Sequence, residues 1–149
     1  MKLQQLATLT TAAFCIGATT HAYAAGGQRV VSHAGTCEMT VPADWKANRL
    51  LKSVVNSPDK SIGAVISTAP DFHAMSEVKP IVESAMKPVK VFEDTPRRLW
   101  YQYEAPNGGT AWYVGVPGKD GICGSQITFK NPAQADVAKP IALSVKPAS

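Results

Sequence analysis

The chain is poor in the side chains that most often carry charge or chemistry. Of its 149 residues only 17% are Asp, Glu, Lys or Arg, three are histidine and three are cysteine. Lys and Arg outnumber Asp and Glu by 15 to 11, for a formal charge of +4, and no run of cations is longer than the pair Arg97-Arg98. Nucleic-acid binding, which needs a concentrated basic stripe, therefore has no support. The composition fits neither a disordered acidic tail, a coiled coil nor a collagen-like repeat. There is no glycine-rich phosphate loop, and no Gly-x-Ser-x-Gly elbow makes Ser125 a nucleophile. Beyond the N-terminal stretch no segment is long and apolar enough to cross a bilayer, which takes about 20 residues. No membrane anchor is expected.

What is present is a hydrophobic fraction of 45%, enough for one domain at this length. Residues 1–24 read as a cleaved export signal. Met1-Lys2 gives a short positive start, the first acidic residue is Glu38, an apolar stretch runs over residues 6–18, and Ala22-Tyr23-Ala24 is a small-x-small cleavage site. Phe14 ahead of Cys15 does not suit lipid attachment. The mature chain is thus expected as a single exported α+β domain over residues 25–149, periplasmic or secreted. Cys15 departs with the signal. Cys37 and Cys123, 86 positions apart, are expected to pair in an oxidising compartment as a structural bond, since a redox-active pair would be Cys-x-x-Cys.

Along the mature chain, residues 37–41 alternate apolar and polar as a half-buried strand, Pro42 ends it, and Trp45 is expected to fold back over the core. Residues 50–55 and 61–68 form the next strands around the turn Asn56-Ser57-Pro58-Asp59-Lys60. Val78, Val82, Ala85, Met86 and Val89 fall on one helical face, with Ser76 as N-cap and Pro80 near the first turn. Extended segments follow at residues 89–93, 98–104, 110–116 and 122–129. Pro106-Asn107-Gly108-Gly109 predicts a type I′ hairpin with Asn107-Gly108 as its loop. Tyr103 then opposes Trp112, Tyr101 opposes Val114 and Leu99 opposes Val116, leaving Trp100 and Tyr113 together on the other face. Asn131-Pro132 opens a last helix with Ala138, Ile141, Ala142 and Val145 as its stripe, and Pro140 is expected to kink or split it.

The stretches Thr40-Val41-Pro42-Ala43-Asp44-Trp45 and Asn56-Ser57-Pro58-Asp59, with Ile127-Thr128-Phe129 leading into a helix, resemble the PsbP-like fold of extrinsic photosystem II proteins and DcrB-type bacterial envelope proteins. The resemblance implies one antiparallel sheet with helices packed on both faces, an α/β/α sandwich, and for most bacterial members no enzymatic chemistry. No functional residue carries over from it.

The residues themselves offer few sites. His33, His73 and Met75, with Cys37 if it were reduced, are the candidates for a metal, since imidazole and thioether ligands suit copper. An exposed loop histidine and a core methionine explain them equally simply, so no metal or cofactor is expected. Glu93, Asp94 and Glu104 are carboxylates at strand ends, where solvation is their ordinary role. Arg97, Arg98, Trp100 and Tyr113 make a candidate docking patch, because aromatics and Arg are enriched at interfaces. The expected function is that of a small non-catalytic envelope protein that binds or supports another protein. The alternatives are a periplasmic copper- or haem-binding protein using His33, His73 and Met75, and a hydrolase with an unrecognised site.

Overall fold

Short apolar runs bounded by turn residues, some alternating with polar ones as in residues 37–41, build strands. The structure, a computed structural model, describes residues 26–149; the expected export signal and Cys15 lie outside the described residues. In chain order the elements are β1 (Gln28–Val31), β2 (Cys37–Val41), β3 (Lys46–Ala47), β4 (Val54–Asn56), β5 (Ile62–Ala69), α1 (Met75–Met86), β6 (Lys90–Thr95), β7 (Arg98–Glu104), β8 (Thr110–Gly118), β9 (Gly121–Phe129), a 3-10 turn (Pro132–Gln134), α2 (Ala135–Ser144) and β10 (Lys146–Pro147).

The expected single sheet between helices does not form. The ten strands make two sheets, a seven-stranded one in the order β3-β4-β5-β9-β8-β7-β6 and a three-stranded one in the order β1-β2-β10, and only two helices accompany them. Strand β2 leaves the large sheet because Gln28-Arg29-Val30-Val31 supplies a partner before it, with Val30 opposite Met39. Lys146-Pro147 supplies another after it, with Lys146 opposite Glu38. The Glu38 carboxylate is fixed between Arg29 and Lys146. Burial alone would raise its pKa, but the hydrogen bonds from those two cations outweigh burial and hold it below the usual carboxylate range.

The large sheet is therefore covered differently on its two faces. Helix α1 lies over one face, where Met75, Val78 and Val82 pack on Leu99, Tyr101, Tyr103, Tyr113 and Ile122. The small sheet and α2 cover the other, where Val30, Met39, Val41, Ala138, Ile141, Ala142 and Val145 meet Ile66, Val114, Val116 and Ile127. Trp45 is buried in this second cluster, as the sequence led one to expect, with its carbonyl accepting from Gln28 Nε2. A Cys37–Cys123 disulfide joins β2 to β9 and so ties the small sheet to the large one.

Two local expectations need correction. The β7–β8 register is one residue off the type I′ pairing: Leu99 opposes Gly115, Tyr101 opposes Tyr113 and Tyr103 opposes Ala111. Pro106 imposes a negative φ at the first corner of the turn, Gly108 takes a φ of 78°, and the Gly108 amide bonds to the Ala105 carbonyl. The loop is thus a three-residue one built on a type I turn, with Gly108 as the left-handed residue. Because side chains alternate, that slip moves Trp112, Val114 and Val116 to the face opposite Leu99, Tyr101 and Tyr103. The N-cap of α1 is Ala74 rather than Ser76, and Glu77 Oε2 accepts the amides of His73 and Ala74 at 2.7 and 3.0 Å. These two amides also hold the Glu77 carboxyl below its usual range. Asn131 caps the 3-10 turn with Pro132 at its first position, and α2 runs unsplit through Pro140.

Candidate functional site

Two features stand out, a groove at the start of α1 and the free edge of the large sheet beside it. The groove has a volume of about 460 Å³ and runs between the α1 N-terminus and the β6–β7 turn, with Met75, Lys79, Asp94, Pro96, Leu99 and Pro117 among its lining. Lys79 and Asp94 form an ion pair across it. The Asp94 hydrogen bond leads the interactions that raise the Lys79 pKa and keep it charged.

The candidate ligands divide. His73 and Met75 both line the groove, yet Met75 is buried in the α1 core while His73 is exposed at the rim. His33 is exposed on the turn between β1 and β2, and Cys37 is consumed by the disulfide. Among the described residues no three His, Cys, Asp or Glu side chains come together. The carboxylates do not pair either. Asp94 faces Lys79, Glu93 lies 3.7 Å from Arg98, and Glu104 is at the far end of β7. The buried Ser125 hydroxyl donates to Met39 Sδ at 3.5 Å, and among the described residues no histidine bonds to it.

The proposed docking set is also split. Trp100 packs on the small-sheet face and Tyr113 on the α1 face, so the two cannot form one patch. Tyr113 lies over Gly115 and Gly124, where an added Cβ at Gly115 would meet its hydroxyl at 2.8 Å; burial pushes its phenol up to about 12. Trp100 belongs to an aromatic row. Its ring centroid is 4.9 Å from Phe92 and 5.3 Å from Trp112, and Trp112 is 5.0 Å from Phe129. The β6–β7 register skips Phe92, and this bulge lays the Phe92 ring against Trp100. Trp112 Nε1 donates to Gln102 Oε1 at 3.1 Å, whereas the buried Nε atoms of Arg98 and Trp100 have no partner among the described residues. Arg97 is exposed on the adjoining turn.

Sequence reasoning missed the edge itself. Strand β6 ends the large sheet, so among the described residues its outer backbone groups have no neighbouring strand, and Val89, Val91 and Phe92 are 67%, 55% and 38% exposed. A free edge with apolar side chains is a ready partner for another extended chain. The only signal was the apolar character of residues 89–92; nothing in them marks an outermost strand.

No family model matches the sequence, and no curated protein matches it. Among solved structures the chain is similar to a protein from Bacteroides thetaiotaomicron, with a TM-score of 0.54 and 12% identity over 83% of this chain. The match spans 49% of that protein, about half its length. It is also similar to cyanobacterial PsbP (CyanoP) from Synechocystis sp. PCC 6803, with a TM-score of 0.49 and 11% identity over 89% of this chain and 98% of that one. At these identities the likeness concerns fold alone, and at 0.49 the second carries no weight by itself.

Proposed function

We propose that the chain is an exported, non-catalytic accessory protein that docks another envelope protein along β6. The observation that carries this reading is the free β6 edge with Val89, Val91 and Phe92 exposed beside the Phe92-Trp100-Trp112 row. An extended partner segment would gain main-chain hydrogen bonds from the edge and an apolar seat beside it. The two partnerless donors, Arg98 Nε and Trp100 Nε1, lie on β7 just inside that edge. The DcrB-type kinship and the periplasmic or secreted location belong to the same reading; the signal-like residues 1–24 and the paired cysteines support the location.

A photo-crosslinking residue at Val91, in the native envelope, tests the reading against the same residue at Leu143 on α2, which is also exposed. A discrete adduct at Val91 alone is expected. Equal labelling at both positions, or none at Val91, defeats it. The rival reading, copper or haem held at His73 and Met75, rests on their sharing one groove. Titration of the disulfide-bonded protein with Cu(I) and Cu(II) decides that one.

A further inference from the structure

We infer that the loop between β3 and β4 is a contact for an anionic membrane surface, independent of the docking edge. Leu50 and Leu51 are adjacent at its tip and are 91% and 57% exposed, and Leu50 is the most exposed large apolar side chain among the described residues. They are not loose. Asn48 Oδ1 accepts the amides of Leu50 and Leu51 at 2.9 and 3.1 Å, the Asn48 amide bonds to the Val54 carbonyl, and the Val54 amide bonds to the Leu51 carbonyl. These bonds order the backbone that carries the two leucines, so little backbone ordering cost remains when they enter an apolar medium.

Charge around the tip has one sign. Lys46, Arg49 and Lys52 are exposed, none of them forms an ion pair among the described residues, and no acidic residue occurs between Asp44 and Asp59. An exposed apolar pair flanked in sequence by exposed cations matches an anionic lipid surface, where leucines enter the acyl boundary and Lys or Arg remain at the headgroups. A protein partner would need a cavity shaped to two projecting leucines, whereas a bilayer conforms to them. Neither signal holds a protein on a membrane alone; the pair of signals gives reversible attachment.

The test is cosedimentation of the chain as released by the exporting cell, disulfide intact, with vesicles of phosphatidylglycerol and phosphatidylethanolamine. Binding is expected there, weakened by added salt, and absent on phosphatidylcholine vesicles. Leu50→Ser/Leu51→Ser is expected to lower the bound-to-free ratio about tenfold, and Arg49→Gln/Lys52→Gln about as much. Both pairs of side chains are solvent-facing and the Asn48 bonds are untouched, so circular dichroism should be unchanged. No binding to the anionic vesicles, equal binding to both vesicle types, or binding that the variants retain would each overturn the inference. So would photo-crosslinking from Leu50 to a protein rather than to lipid.

Discussion

The two faces of the large sheet are secured by different means. The face beneath β1, β2, β10 and α2 is covered by two kinds of element, contains the aromatic row, and is crossed by a disulfide with both sulfurs buried. Among the described residues the only helix or strand over the opposite face is α1, a helix of 12 residues with Pro80 inside it and no basic residue in its last turn. Its core relies on tyrosines that keep one end polar: Tyr101 donates to Glu83 at 3.4 Å and Tyr103 to Gln126 at 3.1 Å. One face is thus stapled; the other is a single lid on a partly polar floor, and it is the lid that borders the groove. Stability and accessibility have been divided between the faces of one sheet.

Removing the staple should produce the largest effect. Cys37→Ala/Cys123→Ala opens a loop spanning 86 positions, and chain-entropy arithmetic sets the loss at up to ~4.6 kcal/mol. Chemical denaturation of oxidised and reduced protein measures it; midpoints that coincide would mean the faces are equally secured without the bond. Met75→Ala, at the buried start of the lid, should cost about 2 kcal/mol. Its signature is local: hydrogen exchange should quicken across α1 while amides of β2 and β9 stay protected. Ile141→Ala, on the stapled face, should instead quicken exchange throughout the domain. A uniform response to both would erase the distinction.

The smallest effect concerns acid. At the β4–β5 turn Asp59 accepts the Ser61 amide and the hydroxyls of Ser57 and Ser61, and these bonds lower its pKa to about 2. A depressed carboxyl contributes stability that is present above its unfolded value of about 3.9 and is lost as pH falls toward 2. Asp59→Asn should therefore flatten the acid limb of the stability profile between those values. An unchanged limb would assign acid sensitivity to other groups, with Glu38 on the small sheet first among them.

Sequence reading succeeded where one strong pattern acted alone. Residues 98–104, an apolar and aromatic run bounded by turn signals, form β7 over that range, and Ala138, Ile141, Ala142 and Val145 are all buried as their spacing implies. Cys37 and Cys123, the two cysteines beyond residue 24, likewise form the bond expected of them. It failed where the outcome depended on a neighbour. Both β7 and β8 bear large apolar residues on each face, so matching large residue to large residue favoured the type I′ register, and the turn at Pro106 set the other one. Residues 146–147 have no strand pattern; only Glu38 and Cys37 across from them make β10 a strand. The same lack of neighbours in sequence hid the docking geometry: Trp100 and Tyr113 belong to opposite faces because of that one-residue slip, and Val91 lies at an edge because no strand follows it in space.

The placement of β2 has a consequence for the order of assembly. Its pairings run back to Gln28 and forward to Pro147, and its side chains need β9 beneath them. During synthesis Cys37 thus waits for Cys123, and Glu38 for Lys146, before the small sheet can close. Contacts this distant along the chain make folding slow, on the order of milliseconds to seconds for sheet-rich domains. The strands of the large sheet all lie within residues 46–129, so the large sheet can form before the small one closes over it.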